Sequence, residues 1–261
     1  MDLLAQNASF GYRRARPVLA GVSASFPRGA ITAIVGPNGA GKTTLVRLLA
    51  GVRHPTGGSV TLGGRAVASI PERERARHLA YLAQRPDLAF AFTVERVVSF
   101  GAFAAGPADG RARAALERVG LAGRADDLFG ELSVGQQQLA SLARALVQLE
   151  RARGGYLLAD EPMSAMDPAH ALRAGRLFRE RAAAGTGVVV VLHDLTQALT
   201  LADRALVLDA SGRVASEGEA GEVLTPERLS PVFEVAFDRL TLPGGSSALV
   251  PVQPGPGGLP T

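Results

Sequence analysis

Lysine occurs once in this chain, at the end of a glycine-rich segment whose spacing suits phosphate binding. Lys42 is the only lysine among 28 Lys and Arg residues. It fits the pattern G-x-x-x-x-G-K-[ST], the P-loop. Lysine is a compact charge on a flexible stem, whereas arginine is a wide planar fork that a tightly wrapped loop cannot admit. The segment reads Gly36-Pro37-Asn38-Gly39-Ala40-Gly41-Lys42-Thr43, with Thr44 following it.

The flanking residues are those that such a loop requires. Residues 30–35 form a short apolar run typical of a buried strand, and residues 44–50 have helical spacing before Gly51. A strand, a glycine-rich loop and a helix N-terminus together present backbone N–H groups to an anion. We therefore expect Lys42 to contact the β- and γ-phosphates of ATP, and Thr43 to place its hydroxyl on Mg²⁺.

A pair of acids follows a second apolar run, at residues 156–160. Asp160 and Glu161 would lie at the sheet edge where α/β proteins bind ligands. In a P-loop nucleotidase an Asp at this place holds Mg²⁺, and an adjacent Glu can polarise the attacking water. The alternative is that the two acids only cap the following turn.

The remaining pattern predicts an α/β fold with a parallel sheet covered on both faces. Apolar strands at 78–84, 156–160, 188–193 and 205–209 alternate with helical segments. The Gly- and Pro-interrupted runs before residue 35 predict an N-terminal antiparallel sheet. The predicted helices lie at residues 94–100, 111–119 and 134–149, and a Gly/Pro-rich tail at 243–261 is expected to be mobile.

Composition narrows the function classes. The 27.0 kDa chain has a net charge of +4 and a pI near 10.2, but its arginines are dispersed, which disfavours nucleic-acid binding. It contains no Cys, so thiol chemistry and Cys₄ zinc sites are excluded. No apolar run approaches the ~20 residues that span a bilayer, so a membrane role requires a partner.

The segment Leu132-Ser133-Val134-Gly135-Gln136, before a helix, carries a family resemblance. The chain resembles the ATP-binding cassette (ABC) ATPases, whose signature L-S-G-G-Q offers a Ser hydroxyl and backbone N–H groups to the γ-phosphate. Four other positions match in the expected order: Tyr12, which would stack on adenine, Gln84 of the Q-loop, Asp167 of the D-loop, and the switch histidine His193.

The resemblance implies a P-loop (RecA-like) core with a mixed, mainly parallel sheet, an N-terminal antiparallel β subdomain and an α-helical signature subdomain. The cassette would span residues 1–242, with the helical subdomain at about 86–150. Glu161, His193 and Lys42 would be catalytic, and Thr43, Gln84 and Asp160 would hold Mg²⁺. The implied nucleotide-binding residues are Tyr12, Gly36, Pro37, Asn38, Gly39, Ala40, Gly41, Lys42, Thr43, Thr44, Gln84, Ser133, Gly135, Gln136 and Asp167.

Several of these positions also have an interpretation without a functional role. Tyr12 would otherwise be a surface aromatic, Gln84 a polar loop residue and His193 a core histidine. Two positions depart from the family pattern. Val134 replaces a glycine, which restricts φ and narrows the backbone approach. Leu139 stands where the family often has Arg, so a polar contact is expected to be missing there.

The resemblance also implies partners. The signature of one chain serves the nucleotide of another, so a head-to-tail homodimer is expected. Separate ATPase and membrane subunits are typical of bacterial importers. The expected assembly has two copies of a polytopic permease at the cytoplasmic face of the cell membrane, served indirectly by a periplasmic or extracellular substrate-binding protein. Nucleic acid is not an expected partner.

The sequence beside these motifs resembles the importers of haem, iron-siderophores and cobalamin. Residues 88–95, with Phe90 and Phe92, and the six-residue spacer at 150–155 resemble the haem members. The two Phe side chains would form either the core of the helical lobe or an exposed groove for a permease helix. The alternative functions are those of a cobalamin or other ABC importer, an export ATPase, and a soluble ABC ATPase unconnected with transport.

Overall fold

The computed structural model describes residues 2–12, 17–84, 91–104, 110–150, 152, 154–242, 245 and 247–252. Within them the strands are β1 Leu3–Phe10, β2 Leu19–Phe26, β3 Ile31–Val35, β4 Gly57–Leu62, β5 Arg65–Ala66, β6 Leu79–Leu82, β7 Tyr156–Asp160, β8 Gly187–Val191, β9 Arg204–Leu208, β10 Val214–Glu219, β11 Ala236–Thr241 and β12 Ser247–Val252. The α-helices are α1 Lys42–Leu49, α2 Glu72–Arg75, α3 Val94–Ser99, α4 Arg111–Val119, α5 Val134–Leu149, α6 Pro168–Ala183, α7 Leu195–Leu201, α8 Ala220–Val223 and α9 Pro226–Phe233.

The central sheet has the strand order β10-β9-β3-β8-β7-β6. All of its pairs are parallel except β10 with β9. Strands β3, β7 and β8 are buried along their whole length, as continuous Val/Leu runs predict for a sheet covered on both faces. On β3, Ile31, Ala33 and Val35 face one core and Ile34 faces the other. The predicted fold class is confirmed.

An N-terminal antiparallel sheet, in the order β2-β1-β4-β5, packs with α1 on one face of the central sheet. Tyr156 joins the two sheets: its hydroxyl donates to Phe26 O at 2.9 Å and accepts from Leu3 N at 3.1 Å. Gly187 lies against the ring, where a Cβ would clash with it. The glycine therefore makes room for the tyrosine that ties the sheets together.

Helices α3, α4 and α5 form a helical lobe, and α5 also packs against β6 and β7 of the central sheet. The first helix of the lobe among the described residues begins at Val94. Residues 85–90, which include Phe90, lie outside the described part. Phe92 is half-buried against the lobe core, with its ring edge-to-face to Phe100 at 5.2 Å. These contacts favour the hypothesis that Phe92 belongs to the core of the helical lobe over the hypothesis that it lines an exposed groove for a permease helix.

The C-terminal segment differs from its prediction. Residues 247–252, expected to be part of a mobile tail, form β12, which pairs antiparallel with β11. Leu249 is buried, and its N–H and C=O both bond Thr196 Oγ on α7, at 3.0 and 3.2 Å. The glycine and proline content of this segment concealed a strand that pairs with β11 and contacts Thr196 on α7. Residues 253–261 lie outside the described part.

Within the described ranges, no helix is long and apolar enough to cross a membrane.

Candidate functional site

The P-loop lies between the end of β3 at Val35 and the start of α1 at Lys42. Gly36 has φ 151°, and a Cβ there would clash with the carbonyl of Leu208 on β9. Gly41 has φ 89°, and its Cβ would lie 2.6 Å from Leu19 Cδ2. Both positions therefore require glycine, which brings the loop backbone close to its neighbours and leaves its other side to a phosphate.

Lys42 is buried, with 5% of its surface exposed. Its ammonium donates to Gly36 O at 2.7 Å and to Pro37 O at 2.8 Å. Burial lowers the pKa of this ammonium, and the carboxylates of Glu161 and Asp160 act against that shift. The Lys42 ammonium therefore lies inside the loop, where two backbone carbonyls bind it and the carboxylates of Glu161 and Asp160 stabilise its charge.

Thr43 and Asp160 join the loop to β7. The Thr43 hydroxyl donates to Asp160 Oδ1 at 2.9 Å. Asp160 is fully buried, and no residue in the described part of the chain forms a hydrogen bond with its Oδ2. Burial raises the pKa of this carboxyl, although the hydrogen bond from Thr43 works against the rise. A hydroxyl and a buried carboxylate with a free oxygen are hard oxygen ligands, so this donor set fits Mg²⁺.

The Glu161 carboxylate lies between the side chains of Gln84 and His193. Gln84 Nε2 donates to Glu161 Oε2 at 2.6 Å, and His193 Nε2 lies in hydrogen-bond contact with Glu161 Oε1. The side chain of Glu161 is only 12% exposed, whereas that of His193 is 45% exposed. The ends of β6, β7 and β8 therefore bring together Gln84, predicted to hold Mg²⁺, Glu161, predicted to polarise the attacking water, and the predicted switch histidine His193.

The signature segment begins α5 and is held by its own helix cap. Ser133 Oγ accepts from Gln136 N at 3.3 Å, and Gln136 Oε1 accepts from Ser133 N at 3.1 Å, a capping box. Gly135 packs on the D-loop, where a Cβ would lie 2.6 Å from Ala165 O. Among the described residues no hydrogen bond links Ser133, Gly135 or Gln136 to the P-loop.

The two departures from the family pattern occupy different environments. Val134 is the first residue of α5 and is 52% exposed, so its branched side chain points away from the protein interior. Leu139 is fully buried in the larger core. The polar contact expected to be missing at Leu139 is thus replaced by apolar packing.

Tyr12 and Asp167 lie at the rim of this region. Tyr12 is 53% exposed, stacks edge-to-face on Phe10 at 5.0 Å, and has its hydroxyl 3.4 Å from Thr44 Oγ1. An exposed ring beside α1 suits stacking on a base. Asp167 is the N-cap of α6 and accepts from His170 N at 2.9 Å, which lowers the pKa of its carboxyl.

Sequence reasoning missed two groups near the acids. Tyr81 on β6 lies near Asp160 and Arg47; burial raises the pKa of its hydroxyl. Gln138 on α5 is buried and donates its amide to the carbonyls of Gln84 and Glu161. The only signal for Gln138 was a polar residue on the apolar face of a predicted helix.

Several known proteins are similar to this chain in sequence. The profile of the ABC transporter family matches residues 19–164. The hemin import ATP-binding protein HmuV of Rhizobium meliloti (strain 1021) is 43% identical over 226 residues, which cover 84% of this chain and 86% of that protein. HmuV of Bordetella pertussis (strain Tohama I) is 38% identical over 257 residues, covering 94% and 97%.

Solved structures give the same result. A structure described as a metal-chelate type ABC transporter in an inward-facing conformation has a TM-score of 0.80 at 26% identity, covering 97% of this chain and 98% of that one. An ATP binding subunit of an ABC transporter has a TM-score of 0.77 at 26% identity, covering 90% and 96%. Since the family profile covers more than half of the chain and the relatives exceed 30% identity over most of it, the chain belongs to the ABC transporter family.

Proposed function

We propose that this chain is the ATP-hydrolysing subunit of an importer for haem or another iron chelate. The observation that carries the ATPase function is the Glu161 carboxylate, held between Gln84 and His193 and one residue from the Asp160 that bonds the P-loop. The iron-chelate substrate is supported by the HmuV relatives, whose names describe hemin import.

In this proposal the P-loop N–H groups and Lys42 bind the phosphates of ATP. The ammonium exchanges the carbonyls of Gly36 and Pro37 for phosphate oxygens, so a charge already buried in the loop is not desolvated again. Lys42 then offsets the charge that develops in the transition state. The exposed ring of Tyr12 stacks on the adenine.

Thr43, Asp160 and Gln84 would hold Mg²⁺, which when bound neutralises charge on the β- and γ-phosphates. Asp160 Oδ2 is free to act as a ligand. Gln84 would exchange its hydrogen bond to Glu161 for this role. Release of the Gln84 hydrogen bond would free Glu161 Oε2 to accept a hydrogen bond from the attacking water, and His193, which lies beside Oε1, would contact the γ-phosphate.

The signature would act in trans. Among the hydrogen bonds of the described residues, those of Ser133 join it to Gln136 and none reaches the P-loop of the same chain, so two chains arranged head to tail would complete two sites. ATP then joins the subunits and hydrolysis separates them, which converts nucleotide energy into motion of the attached permease. Two permease copies and an external binding protein complete the proposed importer, with this chain at the cytoplasmic face of the membrane.

The transport function is tested in a strain that lacks this gene and depends on haem for iron. Wild-type protein is expected to restore growth on haem, whereas Lys42→Ala is expected not to. Restored cobalamin uptake without haem growth would assign another importer, and a defect in efflux would assign an exporter. Co-purification with RNA instead of a polytopic membrane protein would contradict the transport function altogether.

The permease is expected to contact the junction between the lobe and the core near Phe103. This residue lies on the short helical turn Phe100–Ala104 and is 80% exposed. The turn is tied to the core by Arg77 Nε, which donates to Ala104 O at 3.2 Å. An exposed aromatic ring at such a junction suits a partner helix in a groove.

Phe103→Asp is therefore expected to weaken co-purification with the permease at least about tenfold, while melting temperature and basal ATPase stay near wild type. Burial of one aromatic side chain in an interface has an effect of that order. Leu172→Asp is the matched control, because Leu172 is 68% exposed on α6. Undiminished permease binding by Phe103→Asp, or equal loss in both variants, would contradict this docking site.

A further inference from the structure

The side-chain amide of Gln138 links the helical lobe to two other segments, those that contain Gln84 and Glu161. Its Nε2 donates to Gln84 O at 3.3 Å and to Glu161 O at 3.5 Å. Gln84 in turn donates its own amide to the Glu161 carboxylate. One side chain on α5 thus contacts the backbone of two residues that hold the reacting groups.

A second glutamine makes the equivalent link at the far end of the same helix. Gln148 Nε2 donates to Ala76 O at 2.8 Å and to Leu79 O at 2.9 Å, before and at the start of β6. Gln138 reaches the segment after β6, and Gln148 reaches the segment before it. Both residues are glutamines on α5 whose amides donate to backbone carbonyls. They differ in position, because only Gln138 lies beside Gln84 and Glu161.

Burial of Gln138 calls for an explanation. Only 3% of its surface is exposed, and its Oε1 has no hydrogen-bond partner among the residues that the structure describes. A buried amide with an unpaired atom destabilises a fold relative to an apolar side chain of similar shape. The neighbouring Leu139 and Leu142 show that apolar residues pack well on this part of α5. Stability alone therefore does not account for glutamine at position 138.

The backbone of Glu161 needs such support. Its φ is 50°, in the left-handed region that a residue other than glycine occupies at a cost in strain. Its carbonyl also accepts from Ser164 Oγ, at 3.1 Å. With Gln138 removed, the peptide that follows Glu161 loses one of its side-chain anchors, and the carboxylate direction that depends on this peptide is less fixed.

We propose that Gln138 is a positioning residue for ATP hydrolysis, which holds the Glu161 and Gln84 backbone in register with the signature helix. The inference rests on the proposed ATPase function. Gln138 lies five residues after Ser133 on one rigid helix, so a shift of the signature towards a partner's nucleotide moves the Gln138 amide with it. Glu161 is then aligned with its water only when the helical lobe is in place.

The test compares Gln138→Met with Gln148→Met in the full-length chain. Methionine has a similar length and no amide donor. Steady-state ATPase at varied ATP concentration gives kcat and KM, and binding of a non-hydrolysable ATP analogue gives Kd. For Gln138→Met we expect kcat to fall about tenfold, the rate equivalent of roughly one hydrogen bond, with KM and Kd within about twofold of wild type. Gln148→Met is expected to change none of the three by more than about twofold.

A second variant, Gln138→Asn, keeps an amide that is one methylene too short, and the same loss of kcat is expected. Unchanged kcat in Gln138→Met, an equal loss in Gln148→Met, or failure of both position-138 variants to fold while Gln148→Met folds would each overturn the proposal. The assay separates this failure from failure of the proposed function, because a wild-type chain without ATP turnover would contradict the ATPase function itself.

Discussion

Replacing Lys42 by alanine is expected to lower ATP turnover by at least about 10²-fold, the loss typical of one preorganised donor at a charged transition state. Lys42→Arg is expected to fail as well. The ammonium is buried and fits between the carbonyls of Gly36 and Pro37, where a planar guanidinium has no room. The measurement is steady-state phosphate release, with a melting curve to show that each variant is folded.

Arg65→Ala provides the control for loss of one positive charge. Arg65 lies on β5 and pairs with Glu74 on the surface, so its removal is expected to leave turnover within about twofold, as for most surface ion pairs. Turnover near wild type in a folded Lys42→Ala or Lys42→Arg variant would remove Lys42 from the catalytic role.

Glu161→Gln is expected to retain ATP binding and to reduce hydrolysis by about 10²-fold or more, because an amide cannot draw the proton of the attacking water. Gln84 can still donate to the amide oxygen, so the local structure is preserved. With hydrolysis stopped, ATP continues to join two chains. Size-exclusion chromatography with light scattering is expected to show an ATP-dependent dimer that persists.

The matched control is Glu180→Gln on α6, where the carboxylate is exposed and pairs with Arg118. It is expected to hydrolyse ATP normally and to show no persistent dimer. Hydrolysis at the wild-type rate in Glu161→Gln would assign the water-orienting role to another group.

Elements with strong local signals were predictable from the sequence. The prediction for α5, at residues 134–149, has the same bounds as the helix, because the helical pattern of these residues marks it. The strand Tyr156–Asp160 likewise matches its prediction, since a continuous apolar run ending in an acid has few other readings. Local sequence patterns were sufficient to predict these elements, because the tertiary structure keeps the conformation that the patterns favour.

Features that are set by contacts between separate elements were not predictable. Strand β12 exists because its edge meets Thr196 on α7 and its ladder meets β11, and composition contains neither fact. The position of Gln138 is similar: helical spacing placed it on a buried face, but its acceptors lie on two other segments. Half-burial of Phe92 depends on Phe100 in the same way.

The burial of Lys42 makes nucleotide occupancy readable by simple amine chemistry. Apart from the α-amino group, the whole protein offers acylating or reductive-alkylating reagents a single target, and that target lies beneath the site of the phosphates. Covalent modification of Lys42 should therefore stop when ATP is bound, and intact-mass spectrometry would count the nucleotide-free sites, each as one adduct. Amine-directed cross-linkers and immobilisation resins, by contrast, find no other side-chain handle on this protein.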